Sequence, residues 1–110
     1  MDANNVVVVR GTVSSDPVVR ALPSGDIVTQ VELTIRMDGG TTSAPVAVHG
    51  TPVTVVAGDE VVVTGHVSRR FFRVGGVTQS RTEVIAVRIV TTSRRATVSK
   101  AVASAAALLA

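Results

Sequence analysis

Stiff, β-branched side chains supply most of the apolar content of this chain, and this feature restricts its fold more than any other. Valine is the commonest residue, whereas the chain has only two Phe and no Trp or Tyr. A length of 110 residues and a mass of 11.3 kDa allow one compact domain with a modest core. The composition therefore predicts a single all-β domain.

Periodicity and turn residues divide the first 90 residues into strands. Val31, Leu33 and Ile35 alternate with polar residues, the period of two expected of a strand with one buried face. Met37 to Ser43 has no periodicity and is expected to be an exposed, mobile loop. A full helix is doubtful over Thr51 to Ala57, which contains Pro52 and three valines. The predicted strands are Val6 to Val13, Val31 to Arg36, Pro45 to Gly50, Glu60 to Phe72 and Thr78 to Val90. The last two form a long hairpin closed by Gly75-Gly76, and five strands of this kind fit a small barrel.

The segment after Val90 differs in character from the strands. It is first polar and basic and then rich in alanine. We expect a domain over residues 1–90 and a C-terminal tail over residues 91–110, either frayed or forming a short helix.

Charge is distributed unevenly along the chain. Residues 1–68 carry three arginines against seven carboxylates, a formal charge of −4, whereas residues 69–110 carry eight basic residues against Glu83 alone, a formal charge of +7. All but one of those eight are arginine, which pairs with phosphate and stacks on bases. A polyanionic partner such as nucleic acid is one explanation. The other is a solvated basic face that only keeps a valine-rich protein in solution.

Several short motifs occur in an order that resembles the bacterial single-stranded DNA-binding protein (SSB) family. These motifs are Asp16-Pro17-Val18-Val19-Arg20, Pro23-Ser24-Gly25, Pro45 to Gly50, Gly58-Asp59-Glu60-Val61 with Val63 to Val67, and Thr82-Glu83-Val84-Ile85-Ala86. The resemblance covers about residues 5–90. It implies an OB-fold, a five-stranded Greek-key barrel with a long final hairpin. The segment between the third and fourth strands is shorter than the family's helix, so we expect no or only a very short helix there. The resemblance also implies a homotetramer built from dimers.

The chain departs from the family pattern at positions that matter for binding. An aromatic residue of the family is replaced by His49 and another by Ala21, whereas the aromatic of the fourth strand survives as Phe72. No carboxylate side chain follows Glu83, so we expect this chain to lack the acidic C-terminal tip with which the family recruits repair and replication partners. The chain therefore looks like a short, divergent member of the family.

The candidate nucleic-acid-binding residues combine arginines with one aromatic ring. Phe71 and Phe72 should point to opposite faces of their strand, so only one can easily join the core. Phe72 matches the family's stacking position; the alternative is that Phe72 packs in the core and Phe71 is exposed. Arginines at the last hairpin are candidate phosphate contacts. The full set is Phe72, Arg69, Arg70, Arg73, Arg81, Arg20, Arg36 and His49.

Other function classes find little support in the sequence. The chain has no cysteine, and its two histidines lack the further ligands of a metal site. It contains no G-x-S-x-G motif and no defensible nucleophile–base pair, so we expect neither an enzyme nor a cofactor. With no export signal or membrane-spanning segment, a cytoplasmic protein is the default.

Two functional hypotheses remain. The first is sequence-independent binding and protection of single-stranded DNA in replication, recombination or repair. The second is an OB-fold interaction or assembly subunit that has lost DNA binding. Under both we expect a homo-oligomer, because the apolar first strand has an unpaired edge that a second copy of the chain could cover. The resemblance favours a tetramer, and a dimer is possible.

Overall fold

The computed structural model describes residues 3–50, 53–92 and 105–108. Six strands account for most of them: β1 (Val7–Val13), β2 (Val18–Ala21), β3 (Ile27–Met37), β4 (Gly40–His49), β5 (Glu60–Val74) and β6 (Val77–Thr91). Residues 53–56 form neither helix nor strand, in line with the sequence expectation for this connection.

Five of the strands close into a barrel. The order around the sheet is β1-β5-β6-β4-β3, and β1 closes the circle by pairing with β3 through Thr12 and Val13. β4 and β6 are parallel, with Val46 opposite Val84, while the other neighbours are antiparallel. β2 pairs only with β3 and flanks the barrel as a short edge strand. The predicted five-stranded, almost helix-free barrel is confirmed.

The core lies inside this barrel and is built mainly from valine. Leu33 at the middle of β3 is fully buried, and the smaller side chains of the neighbouring strands pack around it. The other members of the buried cluster are Val13, Val31, Val46, Val55, Val61, Val63 and Val84. Short, branched side chains at every second strand position thus fill the interior.

The prediction of an exposed, mobile loop over Met37 to Ser43 is wrong. Asp38 and Gly39 form a tight turn, Met37 pairs with Gly40, and β4 runs from Gly40 alongside β3 over its whole length. Gly39 adopts a φ of 84°, which favours glycine and permits the turn. The polar residues Thr41 to Ser43 are exposed but extended, because the strand they pair with is already fixed by its own buried face.

Gly65 allows β5 and β6 to approach closely where their register shifts. Thr64 lies opposite Arg88 and Gly65 opposite Ala86, so Val87 is an extra residue in a β-bulge. A Cβ atom built on Gly65 would lie 2.0 Å from the carbonyl oxygen of Ile85. Beyond this bulge, residues 68–74 of β5 pair with residues 77–83 of β6. These two segments and the turn between them form a two-stranded arm, residues 68–83.

Most of the predicted tail lies outside the described residues. Within residues 91–110, only 91–92 and 105–108 are described. Residues 105–108 are helical, and Ala105 is buried.

Candidate nucleic-acid interface

Strand pairing places several of the candidate residues on the outer face of the barrel. Side chains of directly opposed residues point to the same face of a sheet. Val28 of β3 lies opposite Arg20 of β2 on one side and His49 of β4 on the other. Because Thr29, Val31 and Leu33 face the core, alternation places Val28 and the two residues beside it on the outer face of the sheet, although Val28 itself is only 8% exposed. Arg20 and His49 therefore share this outer surface.

The arm contributes to the same surface through one of its two faces. Arg70 lies directly opposite Arg81, and Phe72 follows Arg70 on the same face. Together with two residues of the neighbouring strands they line an open depression of about 320 Å³, which we call the Phe72 groove; its lining residues are Arg20, Gln30, Arg70, Phe72 and Arg81. Four predicted site residues, separated by up to 61 positions in sequence, thus meet at one place.

Phe72 is partly buried in this groove and does not belong to the buried core. The guanidinium carbon of Arg70 lies 5.5 Å from the centroid of the Phe72 ring, within range of a cation–π contact. Phe71 points to the opposite face and is 67% exposed. The prediction of opposite faces is confirmed. The alternative in which Phe72 enters the core is wrong, and neither ring joins the core.

Two carboxylates compensate part of the positive charge at the groove. Arg81 donates from Nη2 to Oε1 of Glu32 at 2.6 Å. Glu83 is 8% exposed and lies between the two opposed arginines, 3.8 Å from Nε of Arg70 and 3.9 Å from Nε of Arg81. Like charges directly opposite each other on a sheet are unfavourable, and Glu83 offsets this repulsion. No local pattern in the sequence indicates a role for Glu32, because 49 positions separate it from Arg81.

Arg69 and Arg73 lie on the other face of the arm, away from the Phe72 groove. Nη2 of Arg69 donates to Oγ of Ser80 at 3.1 Å, and Nη2 of Arg73 donates to the carbonyl oxygen of Gly76 at 2.7 Å. The four arginines of the hairpin are therefore divided between two surfaces. The alternation of residues along the two strands is the signal for this division, which the prediction of one set of phosphate contacts did not include.

Arg36 is also separate from the groove. It lies near the end of β3, six residues beyond Gln30, a distance of about 20 Å along a strand. There it lines a second depression with Arg10, Thr12 and Thr34, among others. His49 ends β4 and is exposed beside Val28.

The described residues contain no group of three or more His, Cys, Asp or Glu side chains that could hold a metal ion. Among the same residues, no helix is long and apolar enough to cross a membrane.

Among the comparisons with known proteins, only the comparison with solved structures found a match, and it supports the fold. No family model and no curated protein matches the chain. A solved structure described as Plasmodium falciparum SSB in complex with ssDNA matches with a TM-score of 0.66 at 18% sequence identity. The match covers 79% of this chain and 93% of that chain. The barrel of this chain is an OB-fold like that of the SSB structure.

Proposed function

We propose that this chain binds single-stranded DNA without sequence preference and protects it during replication, recombination or repair. The observation that carries the proposal is the Phe72 groove, where an aromatic ring and three arginines from β2, β5 and β6 meet on one surface. The likeness of the fold to an SSB bound to single-stranded DNA supports it.

The groove holds the two components that sequence-tolerant binding of single strands needs. The partly buried ring of Phe72 offers a flat surface for a base, a contact worth about 1–3 kcal/mol. Arg20 and Arg70 offer guanidinium donors to phosphate oxygens, and contacts to phosphate carry no sequence information. Every base has a π-face, so this arrangement accepts any of the four.

Homo-oligomerisation belongs to the same proposal. Within the part of the chain that the structure describes, residues 7–11 of β1 pair with β5 on one side only, since β1 meets β3 only at Thr12 and Val13. Pairing of this open edge across a two-fold axis would give dimers, and two dimers a tetramer. We further propose a cytoplasmic location and no enzymatic activity.

Fluorescence anisotropy of a labelled oligo(dT) tests the proposal, because the chain has no Trp to report binding itself. We expect saturable binding that weakens between about 50 mM and 200 mM salt, with a log–log slope of about −0.7 for each phosphate contact. Unlabelled duplex DNA should not displace the probe. No binding at the lower salt would contradict the proposal and favour an OB-fold subunit that binds a protein partner.

Phe72→Ala tests the site, and Arg88→Ala is the matched control. Loss of the stacking surface should weaken binding about 5-fold to 150-fold. Arg88 lies in the barrel portion of β6 and does not line the groove. Its replacement should therefore change affinity only through one unit of net charge. Equal effects of the two substitutions would contradict the assignment of Phe72.

A further inference from the structure

The arm has a second face whose chemistry differs from that of the Phe72 groove. Alternation along β5 places Arg69, Phe71 and Arg73 on this face, and the opposed residues of β6 are Thr82, Ser80 and Thr78. We call these six residues the Phe71 face. All six are exposed.

The side chains of the Phe71 face are held in place within the arm. The guanidinium carbon of Arg69 lies 5.7 Å from the centroid of the Phe71 ring, and its Nη2 is hydrogen-bonded to Ser80. Arg73 is bonded to the carbonyl oxygen of Gly76. Each guanidinium has five N–H donors, so both retain donors for a ligand after making these bonds. The exposed ring is thus flanked on its strand by two partly oriented cations.

Charge distinguishes the two faces of the arm. On the groove side, Arg70 and Arg81 are matched by the carboxylates of Glu83 and Glu32. Across residues 68–83, all of which are described, the only carboxylate is Glu83, and it lies on the groove side. Arg69 and Arg73 therefore have no carboxylate partner within the arm, on a face that also exposes 67% of Phe71.

We propose that the Phe71 face binds a second segment of single-stranded nucleic acid, separate from the segment in the Phe72 groove. Phosphates would contact Arg69 and Arg73, and a base would stack on Phe71. The arm then lies between two strand segments, or between two parts of one strand that passes around its Gly75-Gly76 tip. This proposal rests on the proposed function, and it assigns that function a second, independent surface.

Stoichiometry with a short probe tests the second surface. The probe is an oligo(dT) of about eight nucleotides, within the range that one OB-fold covers, and the readout is native mass spectrometry of the full chain at low salt. We expect two probes per protomer for the wild type. The triple variant Arg69→Gln, Phe71→Ala, Arg73→Gln should hold one, and Phe72→Ala should also hold one, through the other face. The control Arg88→Ala should hold two.

Bridging gives a second readout that does not depend on counting. Donor-labelled and acceptor-labelled oligo(dT) mixed with the wild type should show energy transfer. The triple variant should show less transfer, only that between Phe72 grooves of different protomers, while keeping its Phe72-dependent binding. Because oligomers carry several grooves, the comparison is made at equal oligomeric state, measured by sedimentation.

Different results would overturn the proposal for the Phe71 face and the proposal for the Phe72 groove. One probe per protomer for the wild type and unchanged binding by the triple variant would overturn the second surface and leave the Phe72 groove intact. A change of oligomeric state in the triple variant without DNA would also overturn it, because the Phe71 face would then be a contact between copies of this chain. Binding of no probe by the wild type would overturn both proposals.

Discussion

Neutralising Glu32 should strengthen single-strand binding while costing the fold little. Glu32 accepts a 2.6 Å hydrogen bond from Arg81, and the two side chains are 43% and 36% exposed. Exposed ion pairs contribute about 0–1 kcal/mol because water and salt screen them. Glu32→Gln keeps an oxygen that can accept the bond, so the free energy of unfolding should fall by less than about 1 kcal/mol.

The gain in affinity follows from the charge that the substitution removes. The groove arginines Arg20, Arg70 and Arg81 face Glu32 and Glu83, a formal charge of +1 that becomes +2 in Glu32→Gln. A phosphate held by Arg81 at ~7 Å from the carboxylate is repelled by about 0.6 kcal/mol at the dielectric constant of water and by about 2.4 kcal/mol at an effective value near 20. These energies correspond to a roughly 3-fold to 50-fold increase in affinity.

Oligo(dT) titrations of the variant at increasing salt measure this gain, which should shrink as salt screens the removed repulsion. Asp38→Asn is the matched control, because it removes the same charge at the exposed tip of the β3–β4 hairpin, six residues from Glu32 along the chain and about 20 Å along the strand. Unchanged or weaker binding by Glu32→Gln, or an equal gain in Asp38→Asn, would refute the reasoning that Arg81 lies beside a phosphate.

Three further substitutions test other parts of the account. Gly65→Ala should destabilise the barrel by about 3 kcal/mol or more, because its Cβ would overlap the carbonyl oxygen of Ile85. The loss should lower the Tm measured by circular dichroism, and a Tm unchanged from wild type would contradict the bulge geometry. Asn5→Ala should lower the free energy of unfolding in urea by about 1 kcal/mol, since the Asn5 side chain makes two hydrogen bonds to the main chain of Val67. An unaltered urea midpoint would show that these bonds do not hold the N-terminal segment. Gly39→Val should destabilise the β3–β4 hairpin through its positive φ. Faster amide exchange at Thr42, which lies opposite Ile35 in a hydrogen-bonded pair, is the measurement, and unchanged exchange is the contrary result.

Much of the fold follows from local patterns in the sequence. Alternation around Leu33 identified β3, and glycine pairs identified the turn of the long hairpin. The alternation of side chains along a strand also predicted correctly that Phe71 and Phe72 point to opposite faces. β4 was placed five residues too late, because Gly40 to Ala44 has no apolar period of its own and is extended only through its pairing with β3.

The candidate site was less accessible to sequence reasoning, because it depends on contacts between distant parts of the chain. Arg20 and Phe72 meet only once β2 is paired with β3 and the arm lies over them. Glu32 and Arg81 form an ion pair across 49 positions, and no local motif marks either as a partner of the other. Conversely, Arg36 looks equivalent to Arg20 in sequence, yet it lines a different depression with Arg10.

The central claim is that single-stranded DNA binds in the Phe72 groove, and a nuclear magnetic resonance titration of the ¹⁵N-labelled chain with oligo(dT) tests it most directly. Binding in the groove should give the largest shift changes at the amides of Arg20, Gln30, Arg70 and Phe72, which line the groove on three strands. Shift changes confined to other surfaces, such as the depression that contains Arg10 and Arg36, or no changes at all, would contradict it.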